Sequence, residues 1–213
     1  MKAWIFLGAA MLWAGNAYAE QTRVLLTTTM GDIVIELDPV RAPLTVANFL
    51  RYVDAGAYDN TLFHRVIPGF MIQGGGRNLA LEELPDQGQV QSEADNGLKN
   101  LTGTVAMART DDIDSASRDF FINVKDNPHL DHSPSSCTRA EMAAYLEARE
   151  RGLRKPLTCD NFGYAVFGRV VEGMDVVYDI EIVETTYTDV LEDLPAEPVV
   201  ITRAVRVPSG QGE

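Results

Sequence analysis

The chain has 213 residues, two cysteines and a formal net charge of −13. Its acidic residues are spread rather than collected in runs, which argues against a nucleic-acid partner and leaves solubility as the plain meaning of the charge. With no Ser/Pro-rich linker, repeat or low-complexity tract, a chain of this length fits one domain.

The first 19 residues read as an export signal: basic Lys2, an apolar run from Ala3 to Trp13, then Ala17-Tyr18-Ala19 with cleavage after Ala19. The run is shorter than the ~20 apolar residues a spanning helix needs, and no cysteine near the cleavage site offers a lipid attachment point. Cleavage removes one positive charge, Lys2, and takes the charge from −13 to −14. Residues 20–213 are then an exported domain with no membrane attachment.

Arg23–Thr28 and Ile33–Leu37 flank Met30-Gly31-Asp32 and predict a hairpin. Val46, Phe49, Leu50 and Val53 recur at helical spacing between Pro43 and Gly56, which predicts one amphipathic helix. Two β-rich runs, Phe63–Ile67 and Phe70–Gln73, are separated by Pro68-Gly69, a turn dipeptide. Strand alternation puts Phe63, Arg65 and Ile67 on one face and His64 and Val66 on the other. An arginine alternating with apolar residues is either solvated or a partly buried functional guanidinium. His64, pointing away from it, reads as structural. After a polar stretch from Arg77 to Asn100, strands are expected at Thr104–Ala108, Phe120–Asn123, Ala165–Val171 and Pro198–Val207, with a short helix over Gly173–Ile182. Many short strands with few helices predict a mainly β fold, a closed antiparallel barrel or a sandwich; the pattern alone does not choose.

Phe63-His-Arg-Val-Ile67, followed two residues later by Phe70-Met-Ile-Gln-Gly74, resembles the signature of the cyclophilin family of peptidyl-prolyl isomerases. Gly103–Ala108, Phe120–Asn123, Leu130-Asp131 and Phe162–Gly168 extend the resemblance, and Glu93–Lys99 is similar to the bacterial branch. It covers about residues 23–207, interrupted by an insertion over residues 133–160. The resemblance implies a closed eight-stranded antiparallel barrel capped by two α-helices, with a groove on its outer wall. It also implies isomerisation of X-Pro bonds in unfolded or loop segments, a rotation that requires no metal or cofactor; with the export signal, the expected setting is the periplasm, the expected substrates are exported proteins and the expected form is a monomer. The alternative is a module that binds proline segments with weak or no turnover. Position by position, Arg65 matches the catalytic arginine, and Phe70, Met71, Phe121 and Leu130 match the proline pocket. Gln73 matches a glutamine that contacts substrate backbone and steadies the arginine, and Ala108 a backbone-contact position. Tyr164 stands where eukaryotic members carry histidine, and His129 where an aromatic residue borders the pocket, which predicts weak cyclosporin binding at most.

Two other departures carry expectations. Asp119 replaces a usual glutamine and is expected to pair with Arg118 or perturb Arg65. Gly76 replaces a common aspartate and is expected to loosen its loop. Within the insertion, Thr138 and Glu141 form a capping box ahead of Met142, Tyr145 and Leu146, which predicts a helix ending at Gly152. An even cysteine count in an exported protein implies a Cys137–Cys159 disulfide that closes this element as a lid or side wall of the groove. The rival is a zinc site of His129, His132, Cys137 and Cys159, whose spacing matches no compact knuckle.

Overall fold

The computed structural model describes residues 22–135, 137–153, 156–159 and 161–208; the export signal lies outside them. Strands β1 (Arg23–Thr28), β2 (Gly31–Leu37), β3 (Thr61–Ile67), β4 (Met71–Asn78), β5 (Thr104–Met107), β6 (Phe120–Asn123), β7 (Val166–Glu172) and β10 (Val200–Val207) form a closed barrel. Every pairing is antiparallel, in the order β1-β10-β3-β4-β6-β5-β7-β2. A small hairpin of β8 (Thr185–Thr186) and β9 (Leu194–Pro195), too short to show a strand pattern in the sequence, stands outside it.

Alternation fills the interior. Val24, Leu26, Ile33, Ile35, Val105, Phe120, Ile122 and Ile201 are fully buried in one cluster, each contributing about 1.5–3 kcal/mol by leaving water. Helix α1 (Pro43–Asp54) adds Val46, Phe49, Leu50 and Val53 to that cluster, and α3 (Met174–Glu181) adds Val177 and Ile180. Both helices therefore cap the barrel, whose interior is packed like that of other eight-stranded barrels. Ala42, preceding α1, offers no side-chain cap. The Glu93 carboxylate serves instead, accepting from the backbone N–H of Leu44 (3.0 Å) and Thr45 (2.8 Å) and from the Thr45 hydroxyl. This satisfies orphan donors where the helix dipole favours an anion.

Strand β3 departs from strict alternation. Phe63 pairs with Gly74 but Arg65 with Gln73, a register shift of the kind a bulge produces. Phe63 and Val66 thus both enter the interior cluster. His64 does not; it lines an outer cavity with Gln73 and Ala108, so it shares the outer wall with the groove residues instead of turning its back on them. Gly76 does not loosen a loop. It is a buried residue of β4, and a Cβ there would overlap the Asp119 carboxylate.

Helix α2 (Arg139–Glu150) sits in the insertion with the expected capping box: the Thr138 hydroxyl accepts from Glu141 N–H, and Thr138 N–H donates to the Glu141 carboxylate (2.8 Å). Tyr145 is buried and Met142 packs beside it, against Ile113, Leu157, Phe162 and Ala165. Leu146 departs from the predicted stripe and is 44 % exposed. Cys137 and Cys159 are bonded to each other, with Cα atoms 5.1 Å apart, so neither sulfur is a thiolate for zinc. The insertion leaves and re-enters the barrel at one point: Gly163, at φ +93°, packs so closely on His132 that a Cβ would lie 2.5 Å from its backbone nitrogen.

Neither cysteine belongs to a barrel strand. Reduction is therefore expected to loosen the insertion and lower the melting temperature by about 5–10 °C, from a loop-closure contribution of about 3 kcal/mol. Barrel amides should keep their hydrogen-exchange protection; their loss on reduction would mean that the bridge supports the barrel itself.

Candidate active site

The groove lies on the outer face of β4, β5, β6 and β7. Met71, Ala106, Phe121 and Val166 form its buried floor, and Ile67, Phe70, Leu98, Ala108, Leu130 and Tyr164 pack against them half-buried. Six predicted residues, Phe70, Met71, Ala108, Phe121, Leu130 and Tyr164, thus meet in one apolar patch. Phe121 and Tyr164 meet edge to face at 5.6 Å, and His129 stacks on Phe70 at 5.5 Å, so the predicted border position touches the pocket.

Each wall is held from behind by buried amides. Asn127 donates to the Phe70 carbonyl (2.8 Å) and to Asn123 (2.8 Å), and Asn100 donates to the Leu130 carbonyl (3.0 Å) and the Asp131 carboxylate. The Tyr164 N–H donates to the Leu130 carbonyl across the neck of the insertion (3.0 Å). The turn before Phe70 forms as predicted, with Gly69 at φ +65° and its N–H held by Glu181 of α3 (2.6 Å). Sequence reading did not single out these asparagines, because a buried amide is recognisable only from its partners.

Arg65 and Gln73 face each other across β3 and β4. The Arg65 side chain is 42 % exposed, and its nearest anion is Asp193, with Nε 3.7 Å from Oδ2. Among the described residues Gln73 makes no hydrogen bond to Arg65, so the expected steadying contact is absent. Arg109, also unforeseen, lies over the Tyr164 ring at 4.8 Å and donates from Nε to the Gly163 carbonyl (3.0 Å).

Asp119 pairs with neither arginine named for it. Arg118 is buried and donates to the carbonyls of Gly75, Pro85 and Ala57, one bond from each of its three nitrogens. Asp119 instead lies above Gly76, with Oδ1 3.7 Å from His64 Nε2. His64 Nδ1 and Asp119 Oδ1 are enclosed without hydrogen-bond partners among the described residues. Burial first, and the Arg77 charge second, pull the His64 imidazole down to about 4. Burial pushes the Asp119 carboxyl up to about 6, with the charges of Arg118 and Arg77 opposing.

These shifts give opposite slopes of stability with pH. Between pH 6.5 and about 4 the unfolded chain protonates His64 and the folded chain does not, so stability falls with falling pH. Between about 6 and 3.8 the folded chain protonates Asp119 and the unfolded chain does not, so stability rises with falling pH. Asp119→Asn should unmask the His64 slope, losing up to about 3 kcal/mol from pH 6.5 to 4 relative to the parent. Denaturant midpoints across that range measure it, and parallel curves for variant and parent would show that the Asp119 carboxyl is not raised in the folded chain.

The cyclophilin type peptidyl-prolyl cis-trans isomerase family model matches residues 23–206. Peptidyl-prolyl cis-trans isomerase A of Dickeya dadantii is 45 % identical over 188 residues, covering 88 % of this chain and 86 % of the relative. Peptidyl-prolyl cis-trans isomerase B of Escherichia coli is 43 % identical over 178 residues, covering 84 % and 95 %. In fold, the chain is similar to a cyclophilin type isomerase of Cryptosporidium parvum, at a TM-score of 0.63 and 21 % identity, covering 89 % of this chain and 99 % of that one. With barrel, groove and sequence in agreement, this chain belongs to the cyclophilin-type peptidyl-prolyl cis-trans isomerases.

Proposed function

We propose that the protein accelerates X-Pro rotation by seating the proline ring on Met71 and Phe121 while Arg65 draws the prolyl nitrogen's lone pair out of the amide. Resonance sets the uncatalysed barrier at ~18–20 kcal/mol, and rotation breaks no covalent bond. A group that stays protonated and donates in a fixed plane suits the task. The observation that carries the reading is a half-exposed guanidinium on the strand that borders an apolar patch with a buried floor. Phe70, Leu130 and Tyr164 wall the ring, and Gln73 and Ala108 meet substrate backbone. A proline tetrapeptide assay on the purified mature chain tests this. Peptide binding without isomerisation would favour the alternative, a proline-segment binding module.

We also propose that the mature chain works in the periplasm on unfolded or loop prolines of exported proteins. The Met1–Ala19 pattern and the Cys137–Cys159 bridge support an oxidising compartment. Cell fractionation with N-terminal sequencing checks it: Glu20 as the first residue of a periplasmic form is the expected result, and an intact cytoplasmic chain the opposing one.

Cyclosporin should inhibit weakly, because His129 offers Phe70 a small, polar, exposed ring. His129→Trp should tighten inhibition by roughly tenfold or more, a gain of 1–3 kcal/mol. Unchanged inhibition in the Trp variant would separate position 129 from the drug site.

A further inference from the structure

We infer that Asp193 is a positioning residue for Arg65, resting on the reading that Arg65 acts on the prolyl nitrogen. Among the described residues, the Arg65 side chain donates no hydrogen bond, and the glutamine opposite it on β4 does not hold it. Its nearest anion is Asp193, whose carboxylate approaches through Nε. A long side chain with several rotatable bonds loses much of its effect when it is free to wander, since donation to a twisted amide depends on alignment. An anion on the Nε side restrains the guanidinium and leaves the two terminal nitrogens, with four N–H donors, for substrate.

Asp193, in the bend before β9, is tied by its backbone to barrel strand β3. Its carbonyl accepts the N–H of Val66, the residue after Arg65, at 2.8 Å. Next to it, Leu194 and Pro195 are buried and pair with Thr186 and Thr185 in the β8–β9 hairpin. Ala196 N–H closes the hairpin base on the Glu184 carbonyl (2.8 Å), and Val199 accepts from Phe63 N–H (2.9 Å). The segment therefore grips β3 on both sides of the bulge that turns Arg65 outward. Asp193 itself stands at φ +56°, a left-handed conformation that aspartate and asparagine tolerate better than most residues. The hairpin, otherwise a two-rung ornament, thus carries one carboxylate to the guanidinium and fixes its height along β3.

The test is a double-mutant cycle on the mature protein, with a proline tetrapeptide as substrate. Asp193→Asn keeps the left-handed preference and the shape while removing the charge. It should lower kcat by about 2–5-fold with KM within a factor of two, and shift the ¹⁵Nε–¹H signal of Arg65. In the Arg65→Ala background, measured by exchange broadening at high enzyme concentration, the same change should have no further effect, because residues acting through one group are not additive. An equal loss in both backgrounds, an unaltered Arg65 signal, or unchanged or raised kcat in Asp193→Asn would overturn the proposal while leaving Arg65's role intact. Undiminished activity of Arg65→Ala would instead remove the reading on which the proposal rests, and the proposal with it.

Discussion

Arg65→Ala is expected to lower kcat/KM for a proline peptide by about 10²–10³-fold, the usual consequence of removing one preorganised donor from a developing charge. Stability should barely move. The side chain is 42 % exposed and its one ion-pair partner among the described residues is 3.7 Å away, a surface pair of the kind worth about 0–1 kcal/mol. The two effects separate because the guanidinium's contribution appears in the twisted amide and not in the folded resting state. Arg65→Lys should recover little, since an ammonium is a point charge without the planar fork. Stopped-flow isomerisation alongside thermal unfolding measures both quantities, and near-normal turnover in either variant would move the chemistry to another group.

The second large effect divides two adjacent phenylalanines. On β6, Phe120 faces inward, meeting Phe49 and Tyr58 at 5.5 Å and Phe63 at 6.2 Å, while Phe121 faces the groove. Phe120→Ala empties the centre of the barrel and should cost about 3–5 kcal/mol, with the fraction that stays folded retaining ordinary turnover. Phe121→Ala removes a floor that one side of the molecule leaves open to substrate, so its stability loss should be smaller and its activity loss severe. Denaturant melts and kinetics corrected for folded fraction distinguish them. Equal stability losses with equal turnover would mean that the strand's two faces do not divide these duties.

The same alternation explains which parts of the molecule were legible in the sequence. Period-two patterns exposed the long strands, period-3.6 spacing exposed α1, and the capping box exposed α2, because each depends on neighbours along the chain. The choice of a barrel came from resemblance, as did the site residues, six of which the structure gathers in one patch. Contacts that join distant segments left no local trace: Asp193 beside Arg65, Glu93 on the first turn of α1, Asn127 behind Phe70. The bulge in β3 was invisible because an inserted residue changes the facing of side chains without changing the composition of the strand. Asp119 was misjudged for a related reason. Its adjacent arginine was the obvious partner, yet three backbone carbonyls had already claimed Arg118. The carboxylate occupies the space that glycine leaves at position 76, so the two departures from the family pattern are one spatial arrangement.

The touching ends of the insertion make residues 133–162 a detachable cassette. Where a chain exits and returns at one point, joining His132 directly to Gly163 leaves barrel registers unstretched, and a foreign segment can be spliced there on the same terms. The cost falls on a single patch of the host. Tyr145 donates to Asp114 (2.6 Å), and Leu157 accepts from Ile113 N–H (2.9 Å), so excision would bare Ile113, now 1 % exposed. A polar residue at position 113 would suit a shortened chain, and a graft would need an apolar knob of its own to keep Ile113 covered.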